Sequence, residues 1–364
     1  NYKKKVAVLF GGRSTEHKIS LLSAKNVIDA MDRDKYEPVL IGIDKSGKWH
    51  LNEGAIKLIN EEDPNKVSLV NLDKPILLSQ NTNAHEMIGV ENGENFGKID
   101  VIFPVLHGTY GEDGSVQGFA KLANIPCVGC GILGSAIGMD KDVTKRLLRD
   151  SGIKVADFVT LRKGYNETLS FDEVSDKLGN ELFIKPANLG SSVGVSFVND
   201  KASYDAAVGK ALKYDPKVVV EEKLVGREVE CAVLGNESPK ASAVGEVIPK
   251  SSFYTFENKY IDEGGAVLDI PAKLDEETVS RIQALAIETY RLLECEGMTR
   301  VDMFLTPKGD LYLNEVNTIP GFTKISMYPK LWEISGLPYT ELISSLIEYA
   351  IESSVKRNQL IQAE

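Results

Sequence analysis

The sequence is poor in cysteine, histidine and tryptophan: four, four and two in 364 residues. Four cysteines cannot staple a chain of this length, so no disulfide framework is expected, and a reducing cytoplasm is the expected compartment. Cys127 and Cys130 form a C-x-x-C, but no second pair completes a zinc site, and within Ile-Pro-Cys-Val-Gly-Cys-Gly they read as small apolar residues at a strand end. Positive charge is in deficit too, 42 Lys and Arg against 53 Asp and Glu, a net of −11. That balance excludes a broad polyanion-binding face, and with it a nucleic-acid partner, while leaving room for a local basic pocket. Long apolar runs are missing as well. The longest uncharged stretch, Leu122 to Met139, is broken by Pro126 and four glycines, so no membrane-spanning helix is expected. Val6 to Phe10 is too short for the apolar core of a secretory signal.

What remains is an ordinary folded composition, 43% apolar and 26% charged, long enough for two or three domains. Val6 to Phe10 reads as a buried strand stopped by Gly11 and Gly12. Ala24, Val27, Ile28 and Met31 then recur on one helical face, and Val39 to Ile43 is a second apolar run. Val101 to Leu106 and a signal around Pro126 to Val128 continue the β-α-β order, which predicts an open, mostly parallel sheet with flanking helices over residues 1–136. A helix over Met139 to Ser151 leads into a smaller unit, 137–225, with strands at Phe158 to Leu161, Leu182 to Lys185, Val193 to Val198 and Val218 to Glu221. The last unit, 226–364, carries strands near Val229 to Leu234 and Ala243 to Ile248, a helix over Glu276 to Leu293, a hairpin, and a helix from Tyr339 to Val355. Residues 249–269 sustain no period and are read as a mobile lid or binding loop.

The hairpin is the most informative segment. Thr299 to Leu305 alternates, so Arg300 and Asp302 share a face, and Glu315 and Asn317 do the same on the return strand. A four-residue turn at Pro307 to Asp310 would set Asp302 opposite Glu315 and Arg300 opposite Asn317. Facing carboxylates repel unless something positive lies between them, and two carboxylates with an amide oxygen suit Mg²⁺. The alternative is a solvated acidic hairpin balanced by Arg300. In a second segment, the strand ending at Lys185 runs into Asn188-Leu189-Gly190-Ser191-Ser192-Val193-Gly194, where backbone N–H groups, hydroxyls and a compact ammonium could cradle phosphate. It is not a P-loop, since G-x-x-x-x-G-K-[ST] occurs nowhere in the chain.

Three weaker signals accompany these. The strand leaving through Glu221, Glu222, Lys223 and Leu224 toward Glu228 could offer backbone groups to an adenine edge and a carboxylate to a ribose, though it reads equally well as a solvated charge run. Glu16, expected in the first helical turn, sits at the ligand edge of the first sheet, as does His107 at the end of its third strand.

Seven motifs in one order carry a resemblance: Gly-Gly-x-Ser-x-Glu from Gly11, His-Gly-x-x-Gly-Glu-Asp-Gly from His107, Met139-Asp140-Lys141, Lys-Pro-x-x-x-Gly-Ser-Ser-x-Gly from Lys185, Lys259-Tyr260, Arg300-x-Asp302 and Glu-x-Asn-Thr-x-Pro-Gly from Glu315. From about Val6 to Leu346 the chain closely resembles the D-alanine:D-alanine ligases of the ATP-grasp superfamily. The resemblance implies an α/β protein whose N-terminal open parallel sheet is followed by a two-domain ATP-grasp fold, α+β in character. It also implies formation of D-alanyl-D-alanine from ATP and two D-alanines through an acyl phosphate, for peptidoglycan precursor synthesis, by a homodimer.

The same resemblance implies residue roles. Asp302, Glu315 and Asn317 would bind two Mg²⁺ (or Mn²⁺), Lys141, Lys185 and Ser192 would hold phosphates, Glu221 to Leu224 would line adenine, and Glu228 would take the ribose. Arg300 and the Gly321 N–H would stabilise an oxyanion. Glu16, with His107 nearby, would hold the ammonium of the first D-alanine, and Tyr260, Ser191 and Glu16 would close the pocket against water. Ser326 would bind the second substrate's carboxylate. Retention of Lys259-Tyr260, with Tyr254 and Met327 at discriminating positions, favours D-alanine as second substrate over D-lactate or D-serine. Lys324-Ile325 and Asn188-Leu189 depart from the common pattern. Two alternatives stand beside this reading: a D-alanine:D-serine ligase, and a non-catalytic ATP-grasp nucleotide-binding protein.

Overall fold

The computed structural model describes residues 2–51, 69, 74–79, 85–166, 168–249 and 266–360. The first sheet is built on the strand Lys4–Gly11, flanked by parallel partners Tyr36–Ile43 and Val101–Pro104, with Trp49–Leu51 antiparallel at one edge. Val6, Val8 and Phe10 enter one apolar core while Ala7 and Leu9 enter another, so both faces are covered and the strand reads as a continuous apolar run. The expected strand near Pro126 joins only through a single bridge, Cys127 to Ile102. A small antiparallel sheet of Ile76–Leu78, Glu86–Gly89 and Asn95–Lys98 lies between the strands Trp49–Leu51 and Val101–Pro104 in the chain.

The helix expected over Met139 to Ser151 is found as Lys141–Asp150, and a separate helix, Ile132–Met139, precedes it. The break is at Asp140, which adopts extended backbone and whose carboxylate accepts the Val143 N–H at 3.0 Å as an N-cap. This cap aims the N-terminus of the second helix, and hence Lys141, at the glycine-serine loop.

The central sheet is antiparallel, Phe158–Arg162, Lys217–Glu222, Leu182–Pro186 and Ser196–Val198 in spatial order. The strand expected from Val193 starts three residues later, because Ser191, Ser192 and Gly194 take left-handed backbone. Ile184, Val218 and Val220 pack under the helices Phe171–Leu178 and Lys201–Ala211, which leaves Lys185 and Glu221 on the opposite face.

The third sheet runs Ala266–Asp269, Lys240–Pro249, Arg227–Gly235, Gly297–Leu305, Leu311–Asn317, all antiparallel. Its first strand takes up the last four residues of the presumed loop and Pro249 ends its second strand, while residues 250–265 of that loop lie outside the described residues. Val229, Cys231, Val233, Val301 and Met303 pack against the helix Glu276–Leu292. The other face is divided. Ala232, Leu234 and Met298 join the core shared with the first sheet and the helix Tyr339–Asn358, whereas Glu228, Glu230, Arg300 and Asp302 alternate with the apolar residues and point toward the central sheet. Among the described residues no helix is long and apolar enough to cross a membrane.

Candidate active site

Arg300 pairs with Asn317 and Asp302 with Glu315, the expected register, but the expected turn does not produce it. Leu305 pairs with Leu311, which makes the connection five residues, Thr306 to Asp310, and shifts the register by one. An irregularity between Asp302 and Met303 restores it: Leu313 and Val316, three apart, both reach the apolar core, with one extra residue on the return strand. The longer turn and the bulge cancel at the site.

Arg300 grips Asp302 with two parallel bonds, Nε to Oδ1 at 2.7 Å and Nη2 to Oδ2 at 2.6 Å, and Asn317 Nδ2 adds a third donor to Oδ2 at 3.0 Å. Asp302 is 1% exposed, and Glu230, its partner on the other neighbouring strand, is 2% exposed with Oε2 3.0 Å from Arg300 Nε. Glu230, Asp302 and Glu315 therefore stand at one level across three adjacent strands.

A divalent cation fits this donor set. Asp302 and Glu315 face each other as hard-oxygen donors, and the Asn317 amide can add its oxygen when its side chain turns. The described residues contain no group of three or more His, Cys, Asp or Glu suited to a metal, so the candidate is a two-carboxylate site of the kind Mg²⁺ completes with substrate oxygens.

Two cations face these carboxylates, Lys141 from the start of the helix Lys141–Asp150 and Lys185 from the central sheet. Lys141 Nζ donates to the Leu189 carbonyl at 2.6 Å and stands 3.8 Å from Glu315 Oε2, joining the glycine-serine loop to the hairpin. Lys185 Nζ donates to Glu221 Oε2 at 2.6 Å. Burial works against the Lys185 ammonium, but Glu221, helped by Glu315 and Glu228, more than offsets it and raises its pKa. Glu221 is buried between Lys185 and Lys145, whose Nζ is 3.2 Å from Oε1. Burial alone would raise its pKa; the two ammoniums hold it down at about 2. The Glu221 side chain is thus held between two lysines, by a hydrogen bond from Lys185 and an ion pair with Lys145, which leaves the backbone of this strand exit for an adenine edge. Glu222 Oε1 accepts the Asp157 N–H at 2.9 Å, Lys223 pairs with Glu181 at 2.8 Å, and Leu224 and Glu228 are half-buried.

At the first sheet, Glu16 is the N-cap residue of the helix His17–Ala30, outside its first turn, and its side chain makes no capping bond. It is buried and accepts instead from the Ser191 hydroxyl of the loop. Gly108 and Gly190 press against it: a Cβ at Gly108 would lie 2.8 Å from Glu16 Oε2, and one at Gly190 3.1 Å. Ser192, next in the loop, also adopts left-handed backbone.

His107 bridges two units rather than facing solvent. Its Nδ1 is 3.0 Å from the Ile319 carbonyl, which makes that nitrogen the donor, and its Nε2 lies 2.9 Å from Ser23 Oγ. Burial lowers its pKa, with Glu16 partly opposing, so the ring is neutral. Glu112 accepts from Gly108 N at 2.7 Å and Ile319 N at 3.0 Å; burial, then Glu16, push its pKa up to about 8.

Beyond the hairpin, Ser326 N-caps the helix Met327–Ile334 and accepts the Thr323 N–H at 2.9 Å. Gly321 must lack a side chain because a Cβ there would lie 2.7 Å from Ser326 Oγ. Met327, the residue expected beside the substrate after Ser326, is the first of that helix. It is buried in the core, and its sulfur would lie 2.5 Å from a Cβ at Gly245. Helix periodicity turns residue 327 inward while Ser326 keeps the edge.

Tyr254, Lys259 and Tyr260 lie outside the described residues. Lys145 and Glu230 escaped notice in the sequence, and Glu112, inside the motif that starts at His107, carried no role there. Lys145 follows Lys141 by one helical turn, and Glu230 interrupts an apolar strand at the polar spacing of Glu228, signals that mean little until a partner is known.

Two family descriptions match the chain: D-ala D-ala ligase N-terminus over residues 5–130 and D-ala D-ala ligase C-terminus over 147–348. A D-alanine–D-alanine ligase of Oceanobacillus iheyensis is 52% identical over 98% of this chain and 98% of its own. Among solved structures, the D-alanine-D-alanine ligase from Coxiella burnetii superposes with TM-score 0.87 at 38% identity, covering 99% of this chain and 97% of that one. The VanG D-Ala:D-Ser ligase from Enterococcus faecalis gives 0.83 at 39%, covering 96% and 100%. With both halves matched and half of all residues identical along nearly the whole length, the chain belongs to the D-alanine–D-alanine ligase family.

Proposed function

We propose that this protein joins two D-alanine molecules at the expense of ATP, releasing ADP and phosphate, as a step toward peptidoglycan precursors. The reading is carried by one arrangement: Lys141 and Lys185 of the central unit face Glu315 and Asp302 of the hairpin, which is the charge layout a polyphosphate held through cations requires. A carboxylate is a poor electrophile. Phosphorylating the first D-alanine with the γ-phosphoryl of ATP supplies a leaving group, and the amine of the second then attacks the acyl carbon and expels phosphate.

In this reading the described chain forms three units, 1–136, 137–225 and 226–364, with ATP between the second and third. Lys141 and Lys185 hold phosphates, with Ser192 and loop amides above them. The strand exit at Glu221 to Leu224 lines the adenine, and Glu228 takes the ribose. Asp302, Glu315 and Asn317 hold two Mg²⁺ or Mn²⁺, which neutralise charge on the transferring phosphoryl when bound. Glu16 binds the first ammonium, and Ser191 fixes that carboxylate. Ser326, at a helix N-terminus, receives the second carboxylate. Arg300 and the Gly321 N–H meet the oxyanion of the tetrahedral intermediate. Lys259 and Tyr260 close the pocket, keeping water from the acyl phosphate, with Tyr254 beside the substrate. A cytoplasmic homodimer completes the reading.

The D-Ala:D-Ser enzyme, at 39% identity, is as similar as the D-alanine enzyme from Coxiella at 38%, but the Oceanobacillus D-alanine–D-alanine ligase, at 52%, is more similar than either, which supports D-alanine as second substrate. Phosphate release with D-alanine, D-serine or D-lactate offered alongside D-alanine decides it. D-alanine alone should saturate the reaction at neutral pH. A preference for D-serine would replace the reading, and ATP binding without amino-acid-dependent ADP formation would end it.

A further inference from the structure

Glu230 is a buried carboxylate in a strand that is otherwise apolar past Val229, and nothing in the reaction just described uses it. Its surroundings are specific. It lies directly across the strand pair from Asp302, and both carboxylates address the same nitrogen: Arg300 Nε is 2.7 Å from Asp302 Oδ1 and 3.0 Å from Glu230 Oε2. That nitrogen carries a single hydrogen, so one carboxylate takes it at a time. Here Asp302 takes it and, with the Arg300 Nη2 and Asn317 Nδ2 bonds, accepts three hydrogen bonds from side chains of this protein, which leaves about one of the four lone-pair sites of its carboxylate open.

A divalent cation that draws on both Asp302 oxygens needs more than that one site, so Asp302 meets it by loosening its grip on Arg300. Losing the two parallel bonds of Asp302 would be costly for a guanidinium that is only 7% exposed, and a cation arriving beside it would push it away. Glu230 removes both difficulties because it already stands within bonding distance of the nitrogen that Asp302 would give up. We propose that Glu230 is a positioning residue that takes over the Arg300 Nε–H when Asp302 turns to the metal, holding the guanidinium so that its terminal nitrogens face the reacting carbonyl. Glu230 touches neither substrate nor metal in this scheme and acts through Arg300. The inference rests on the ligase reading and on Asp302 as a metal ligand.

The test uses the full-length enzyme with ADP present and reads Mn²⁺ binding from the free-ion electron paramagnetic resonance signal, beside kcat and KM. Glu230→Gln, nearly isosteric, should weaken Mn²⁺ binding and lower kcat by about tenfold or more each, while KM for ATP stays within about twofold. In an Arg300→Lys background, which has no Nε–H to hand over, the same substitution should cost much less. Glu230→Asp keeps the buried charge and so the fold; its shorter arm should still lower kcat several-fold. Unchanged Mn²⁺ affinity and kcat in Glu230→Gln, an equal loss in the Arg300→Lys background, or full activity in Glu230→Asp would each overturn the proposal. Asp302→Asn separates it from the wider reading. If that variant binds Mn²⁺ like the parent, the metal assignment itself fails; if it loses Mn²⁺ while the Glu230 variants behave as wild type, only the role of Glu230 does.

Discussion

The Ser191 hydroxyl donates to the Glu16 carboxylate, so the glycine-serine loop of the central unit is bonded directly to the N-cap of the first helix. The bond fixes an acid that has no capping duty. Ser191→Ala should therefore loosen Glu16 without unfolding either unit. The loss of a hydrogen bond to a charged group, roughly 1.5–3 kcal/mol, predicts a rise of about ten- to a hundredfold in KM for D-alanine with a melting temperature close to the parent's. Initial-rate kinetics and a thermal melt check both halves.

Gly108 tests the same carboxylate from the other side. Its φ is +78°, and a Cβ would lie 2.7 Å from Ser14 Oγ and 2.8 Å from Glu16 Oε2. Gly108→Ala should cost roughly 1–3 kcal/mol in stability from backbone strain alone and should also displace Glu16. The expected result is a lower melting temperature together with weaker D-alanine binding, measured by calorimetry and titration. A variant with normal substrate affinity would show that Glu16 can move without consequence.

Arg300→Lys keeps the charge and removes the fork. The parallel bonds to Asp302 need two nitrogens in one plane, which an ammonium lacks. If the guanidinium serves the oxyanion, kcat should fall by about 10²–10³, the usual cost of one such donor, with a smaller change in KM for ATP. Steady-state kinetics against both substrates give the split.

Glu112 predicts a pH dependence. Burial first, and Glu16 next, push its carboxyl up to about 8. Between the ordinary glutamate value and that value the folded protein holds a proton that the unfolded chain has released. The contribution to stability is complete below the ordinary value and is lost as pH rises through about 8. Glu112→Gln cannot titrate and should show a flatter melting profile from pH 5 to 8.5. It should be less stable than the parent at the acid end, because the amide replaces one acceptor of the Gly108 and Ile319 N–H groups, and the gap should close as pH rises. Parallel slopes for the two proteins would place the titration elsewhere.

Local pattern determined a good deal of this protein. Strict alternation over Thr299 to Leu305 puts Arg300 and Asp302 on one face because successive strand side chains point oppositely, and no distant contact is needed to know it. Apolar runs bounded by glycine likewise announced the first sheet. What alternation could not supply was compensation: the turn after Leu305 is one residue longer than its sequence suggested, and only the bulge on the return strand brings Asp302 back opposite Glu315.

Tertiary structure alone decided which charges meet. Glu221 and Glu230 each occupy a polar position on a strand, and the sequence looks the same whether such a carboxylate reaches water, a nucleotide or a cation. Lys145 arrives at Glu221 from a helix, and Arg300 arrives at Glu230 from a strand whose adjacency depends on packing against the helix Glu276–Leu292. His107 finds the Ile319 carbonyl because the first and third sheets share one core. Side-chain direction is a local property of the backbone, whereas the partner of a buried charge depends on segments far apart in the chain, brought together by apolar packing.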